Sequence, residues 1–124
     1  MKDYLENGSV VKTGKEIDSV LRKIVALLKP LDLQTVILFG SCANGNWNQD
    51  SDIDLYLVTK DEFIPKNFEQ KMKIKTRAAM ALRDIQKEYD IDLIVHTKTM
   101  SEEFRRNGSL FSNDIFSRGL KLYG

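Results

Sequence analysis

The chain has 124 residues, with 19 Lys and Arg against 18 Asp and Glu and a formal charge of +1. No strong net field draws it to nucleic acid or to a membrane surface, so direct binding to either is not expected. The length suits a single domain over 1–124 with one core; the single cysteine excludes an internal disulfide, and no apolar run reaches signal-peptide or transmembrane length, so a cytoplasmic protein is expected.

Residues 1–12 are weakly patterned and read as a loose arm or a short strand. Thr13-Gly14-Lys15-Glu16 has the form of a capping box, and Ile17, Val20, Leu21, Ile24, Val25 and Leu28 follow at helical spacing until Pro30. Val36-Ile37-Leu38-Phe39 is a short apolar run expected to be a buried strand, closed by a Gly40-Ser41 turn. The link 42–51 is rich in turn formers, Asn44-Gly45-Asn46 and Asn48-Gln49-Asp50-Ser51. A second strand is expected from Asp52 to about Thr59.

Asn67, answered by Gln70, reads as the cap of one helix running to about Glu88, since 77–85 holds strong helix formers without a turn signal. A third strand is expected over Ile91–Val95. Thr99-Met100-Ser101-Glu102 reads as the cap of a short helix ended by Asn107-Gly108, and Ser109 as the start of a last helix closed by Gly119. The order helix, strand, strand, helix, strand, helices gives an α+β or mixed α/β class, with a small mixed sheet and helices packed on one face.

The chemistry concentrates in two places. A glycine-serine turn after a buried strand presents backbone N–H groups and a hydroxyl to an anion, and Gly40 allows close approach of a triphosphate. Asp52 and Asp54 alternate along the second strand, so both project from one face, with β-carbons about 6 to 7 Å apart. Asp92 enters the third strand as Asp54 enters the second. If those strands are neighbours, three carboxylates share a cleft, where two charges about 5 Å apart repel by roughly 3 kcal/mol. Hard oxygen ligands that also accept phosphates point to Mg²⁺, with Mn²⁺ as a substitute.

Other polar residues have plain explanations. Asp50 and Asp90 sit at strand entrances, where capping accounts for them. Cys42 reads as a small packing residue and His96 as a neutral strand end. Trp47 fits either a base-stacking role or a lid over the core. Arg77 and Arg83 suit phosphate contact or solvation of a helix.

Gly40-Ser41-Cys42-Ala43-Asn44-Gly45 followed by Ser51-Asp52-Ile53-Asp54-Leu55 resembles the signature of the DNA polymerase beta nucleotidyltransferase superfamily, and more narrowly the small minimal nucleotidyltransferases. Ile91-Asp92-Leu93-Ile94-Val95 is similar to the strand that carries that family's third carboxylate, and Asp114 to Tyr123 to its C-terminal helix and tail. Cys42 departs from the pattern, because many members carry a basic residue there. The resemblance implies AMP transfer from ATP to a hydroxyl, with Asp52, Asp54 and Asp92 as catalytic and metal-binding residues for two Mg²⁺ ions and Gly40 and Ser41 binding the nucleotide. It also implies a HEPN-domain toxin as partner, with this chain as the antitoxin that AMPylates it, a tyrosine being the expected acceptor. A chain this short has no acceptor domain, which favours a protein acceptor. Two alternatives follow from the same residues: an antitoxin that neutralises by contact with little turnover, and an aminoglycoside-type small-molecule nucleotidyltransferase completed by a homo-oligomer.

Overall fold

The computed structural model of the chain describes residues 2–3, 15–43 and 51–124. Its elements are β1 (Lys2–Asp3), α1 (Lys15–Leu28), a 3₁₀ turn (Lys29–Leu31), β2 (Thr35–Phe39), β3 (Ile53–Val58), α2 (Phe68–Ala81), α3 (Arg83–Gln86), β4 (Ile91–His96), α4 (Lys98–Asn107), α5 (Leu110–Asn113), a π-helical turn (Asp114–Arg118) and β5 (Leu120–Tyr123). The expected cap Thr13-Gly14, the link residues Asn44 to Asp50 with Trp47, and most of the arm 1–12 lie outside the described residues.

The five strands form one mixed sheet in the order β1-β5-β2-β3-β4. β2 is antiparallel to both β3 and β5, whereas β3 is parallel to β4 and β1 to β5. Period-two alternation then divides the side chains between two faces. On the first face Val36, Leu38, Ile53, Leu55, Leu57, Leu93, Leu120 and Leu122 meet Ile17, Val20, Leu21, Ile24 and Leu28 of α1 and Ala78 of α2. Each of those large side chains contributes about 1.5–3 kcal/mol by leaving water, so this layer is where most of the fold's stability resides.

On the second face a smaller cluster of Ile37, Phe39, Tyr56, Val58 and Ile115 takes in Ile94, Phe104 and Phe116. α1 and α2 back the first face, as the helical spacing implies. The C-terminal segments cover the aromatic half of the second, and among the described residues its acidic end is left open. In the aromatic half Tyr56 Oη lies 2.8 Å from His96 Nδ1 and 3.0 Å from Ser101 Oγ, tying α4 to the middle of the sheet. Burial pushes the Tyr56 hydroxyl up to about 12, against the opposing effect of its Ser101 contact. Burial, followed by the Lys71 charge, lowers the His96 pKa, so the ring is a neutral packing partner.

Three expectations are corrected. The single helix over 67–88 is two, broken at Leu82 (φ −100°, ψ 9°); Leu82 and Ile85 both turn into the core, and that burial outweighs local helix propensity. The cap of α4 is Thr97, whose hydroxyl accepts from Met100 N at 3.2 Å, two residues before the expected cap at Thr99. The last helix is the short α5 followed by a π-helical turn, after which Leu120–Tyr123 forms a strand. Leu120 and Leu122 alternate with Lys121 and Tyr123, a strand pattern that buries both leucines. The Asn67 cap holds, with Oδ1 accepting from Gln70 N at 2.9 Å, and Gly108 closes α4 in the left-handed region (φ 63°).

Gly119 carries the chain from the π turn into β5 through a space too small for a side chain. A β-carbon there would run into the Ile115 carbonyl oxygen and stand 2.5 Å from Ile37 Cγ2. Gly119→Ala is expected to cost about 1–3 kcal/mol through overpacking, read as a lower urea midpoint, whereas the exposed neighbour Ser117→Ala should leave it unchanged.

Candidate active site

The open end of the second face is built by three neighbouring strands. In the parallel β3–β4 ladder Ile53 pairs with Ile91, Asp54 with Asp92 and Leu55 with Leu93; residues at matching register in adjacent strands share a face, so the Asp54 and Asp92 side chains stand next to each other. Ile53 and Leu55 anchor this register by filling the opposite, buried face. Asp52 precedes β3 and is exposed, as is Asp92, while Asp54 is half-buried. Backbone N–H of Ile53 donates to Asp90 O at 2.8 Å, which clamps the two strand entrances together.

The third strand supplies the turn. Phe39 is the register partner of Asp54 across β2 and β3, so Gly40 leaves β2 directly beside the Asp54 carboxylate. Its φ of 75° lies in the left-handed region, and a β-carbon at this position would collide with Asp54 Oδ2 and lie 3.3 Å from Asp54 Cγ. Glycine is therefore required here for contact with the chain's own carboxylate and for its backbone angle. Ser41 follows, exposed on the turn, while Cys42 is wholly buried in the main core. Position 42 is thus interior packing and does not face the turn's outer surface.

The electrostatics show how tightly these groups are coupled. Burial raises the Asp54 carboxyl above its ordinary value, and the charges of Asp92 and then Asp52 raise it further. The Cys42 thiol is pushed up to about 12, chiefly by burial and secondarily by the Asp54 charge. Asp54 therefore sits at the centre of a negative locus that includes Asp92, Asp52 and the interior behind the turn. As they stand the carboxylates do not converge on one point: among the described residues no three His, Cys, Asp or Glu side chains form a group able to hold a metal ion. Their chemistry nonetheless fits one. Three hard oxygen donors on one face, with the middle one raised by its two neighbours, match the ligand set of a divalent cation that also carries phosphate.

All five residues singled out from the sequence thus fall at this end of the sheet: Gly40, Ser41, Asp52, Asp54 and Asp92. Asp90 meets the site only through its backbone, and His96 lies at the far end of β4 among the aromatic rings. Phe39 was not among the sequence candidates, yet its backbone is what aligns Gly40 with Asp54. Its position immediately before the glycine was the available signal.

A sequence profile of the polymerase beta nucleotidyltransferase family matches residues 22–118, a stretch that contains all five. A relative from Methanocaldococcus jannaschii, named "Putative protein adenylyltransferase MJ0141", is 30% identical over 91 residues, covering 72% of this chain and 85% of its own. Among solved structures, a toxin–antitoxin with AMP-PNP superposes with a TM-score of 0.53 at 24% identity, over 84% of this chain and 73% of that one. A mutant of the toxin–antitoxin MntA-HpeT gives 0.50 at 23% identity, over 84% and 72%. At these identities the two structures bear on the fold alone.

Two consequences can be measured on the free protein. Because the Asp54 pKa is raised in the folded state, the native protein holds that proton to higher pH than the unfolded chain, and stability falls as pH rises from the ordinary carboxylate value through the raised one. Asp54→Asn is therefore expected to melt higher than wild type at neutral pH without divalent ions, with the gap closing towards about pH 4. Gly40→Ala is expected to lose about 1–3 kcal/mol, from backbone strain and the Asp54 collision together; the double variant Gly40→Ala/Asp54→Ala should recover the collision part alone, and thermal melts of all four proteins would show it.

Proposed function

The chain belongs to the polymerase beta nucleotidyltransferase family, and on that footing we propose that it is a protein adenylyltransferase, transferring AMP from ATP to a hydroxyl, most simply a tyrosine, of a partner protein. The observation that carries this reading is the register of Asp54 against Asp92, with Gly40 pressed against Asp54: carboxylates and phosphate turn are one unit. The name of the M. jannaschii relative supports the protein-directed version. The resemblance to minimal nucleotidyltransferases supports a toxin partner of the HEPN class with this chain as antitoxin.

In this mechanism the turn receives the triphosphate. Backbone N–H groups around Gly40 and the exposed Ser41 hydroxyl face its β- and γ-phosphates, and the missing side chain at 40 keeps the carboxylate and the phosphates at close quarters. Asp52 and Asp54 would hold two Mg²⁺ ions, or Mn²⁺, with Asp92 as a further ligand. Divalent ions held there would supply charge neutralisation of the triphosphate and a lowered pKa for the acceptor hydroxyl. Asp92 belongs to β4, the edge strand, and is exposed, which supports an acceptor approaching from that side. The acceptor oxygen forms a bond to the α-phosphorus, the bond from that phosphorus to the bridging oxygen breaks, and pyrophosphate leaves with the electron pair while the hydroxyl proton passes to solvent. Catalysis of this kind is positioning and charge neutralisation, in keeping with a site that holds neither the buried Cys42 nor the remote His96.

Labelling with α-³²P-ATP and Mg²⁺, using the protein encoded next to this chain as acceptor, tests the proposal. Wild type is expected to label it; EDTA should abolish the signal, and Asp52→Ala or Asp54→Ala should lower it by at least ~100-fold while keeping a cooperative melt. Undiminished labelling by both variants would overturn the assignment. Neutralisation by contact alone predicts instead a tight complex without label, indifferent to EDTA.

A further inference from the structure

The acidic end of the second face is bordered by an apolar shelf that the chemistry above does not use. Leu110 is 90% exposed and Phe111 47% exposed, both on α5, at the edge of a cleft of about 510 Å³ also lined by Asn113, Asp114, Ser117 and Arg118. So much apolar surface in a helix of four residues has no stabilising role in the core. Its position is informative. The Phe111 ring stands edge-on to Phe39 with centroids 5.7 Å apart, and Phe39 is the register partner of Asp54. Phe104 supports the same ring from another side at 6.0 Å. The exposed part of a ring fixed on two sides therefore lies one side chain away from the carboxylates and the glycine turn.

We propose that Phe111, with Leu110 beside it, is the platform on which the nucleobase of the bound nucleotide stacks. The inference rests on the nucleotidyltransferase reading and adds to it the residues that hold the base. With the phosphates at Gly40 and Ser41, as the nucleotidyltransferase reading has them, the second face is a path for ribose and base among the described residues, and Phe39 and Phe111 form its aromatic border. A held aromatic ring suits this task because every base offers a π-face, and the ring loses little freedom on binding. Polar groups also line the cleft: Ser117, Asn113, whose amide donates to Gly108 O at 3.2 Å, and Arg118, paired with Asp114 at 3.7 Å. The patch is continuous with the phosphate turn through Phe39.

Calorimetric titration of the full chain with ATP and with inorganic tripolyphosphate, both with Mg²⁺, separates the shelf from the phosphate site. Phe111→Leu is expected to weaken ATP about tenfold and leave tripolyphosphate unchanged, Phe111→Tyr to keep wild-type affinity for both, and Leu110→Ser to weaken ATP by a smaller factor. Unchanged ATP affinity in Phe111→Leu would overturn the shelf while leaving the phosphate site in place, as would an equal loss of both ligands. Failure of wild type to bind either ligand would overturn the nucleotide reading and the shelf with it.

Discussion

The parallel ladder between β3 and β4 puts Asp54 and Asp92 side by side, and the rest of the molecule can be understood as what keeps that ladder in register. Two carboxylates in adjacent strands repel, and the pairing persists because the same strands bury Ile53, Leu55, Leu57 and Leu93 on their other face. A slip of one residue would turn those side chains to water and the aspartates into the core, a penalty of several kcal/mol that far exceeds the repulsion. Hydrophobic burial thereby holds like charges together at a place of the fold's choosing.

The two faces of the sheet divide the labour. One is an aliphatic interior packed by α1 and α2. The other carries an aromatic half, where Tyr56, His96, Phe104 and Phe116 meet mostly edge to face, and an acidic half that faces outward. The aromatic half anchors α4 and the C-terminal segments, and by covering part of the face it confines water and solutes to the acidic end. The boundary between the halves is set by the β2–β3 pairing, which places Phe39 opposite Asp54.

Much of this is legible in the sequence because it follows from short-range rules. Alternation of Asp52-Ile53-Asp54 and of Asp90-Ile91-Asp92 fixes faces without knowledge of the fold, and the spacing of Ile17 to Leu28 fixes α1. What the sequence leaves hidden depends on partners distant in the chain. Leu82 lies among good helix formers, and only the core it enters explains the break. Leu120-Lys121-Leu122-Tyr123 is too short to separate from a helical tail until β1 and β2 flank it. Gly40 was legible as a required glycine, but its reason was not: the obstacle to a side chain is the Asp54 carboxylate, brought there by register. The parallel pairing of β3 with β4 could be posed only as a condition, since nothing local in either strand specifies its neighbour.

Cys42 is the one cysteine of the chain, packed directly behind the turn and kept protonated by its surroundings. A thiol in that state is a poor nucleophile, so in the closed molecule this sulfur is protected from oxidants and electrophiles. The same shielding makes alkylation of this atom a clock for local opening: each modification event requires the packing around the buried sulfur to loosen first.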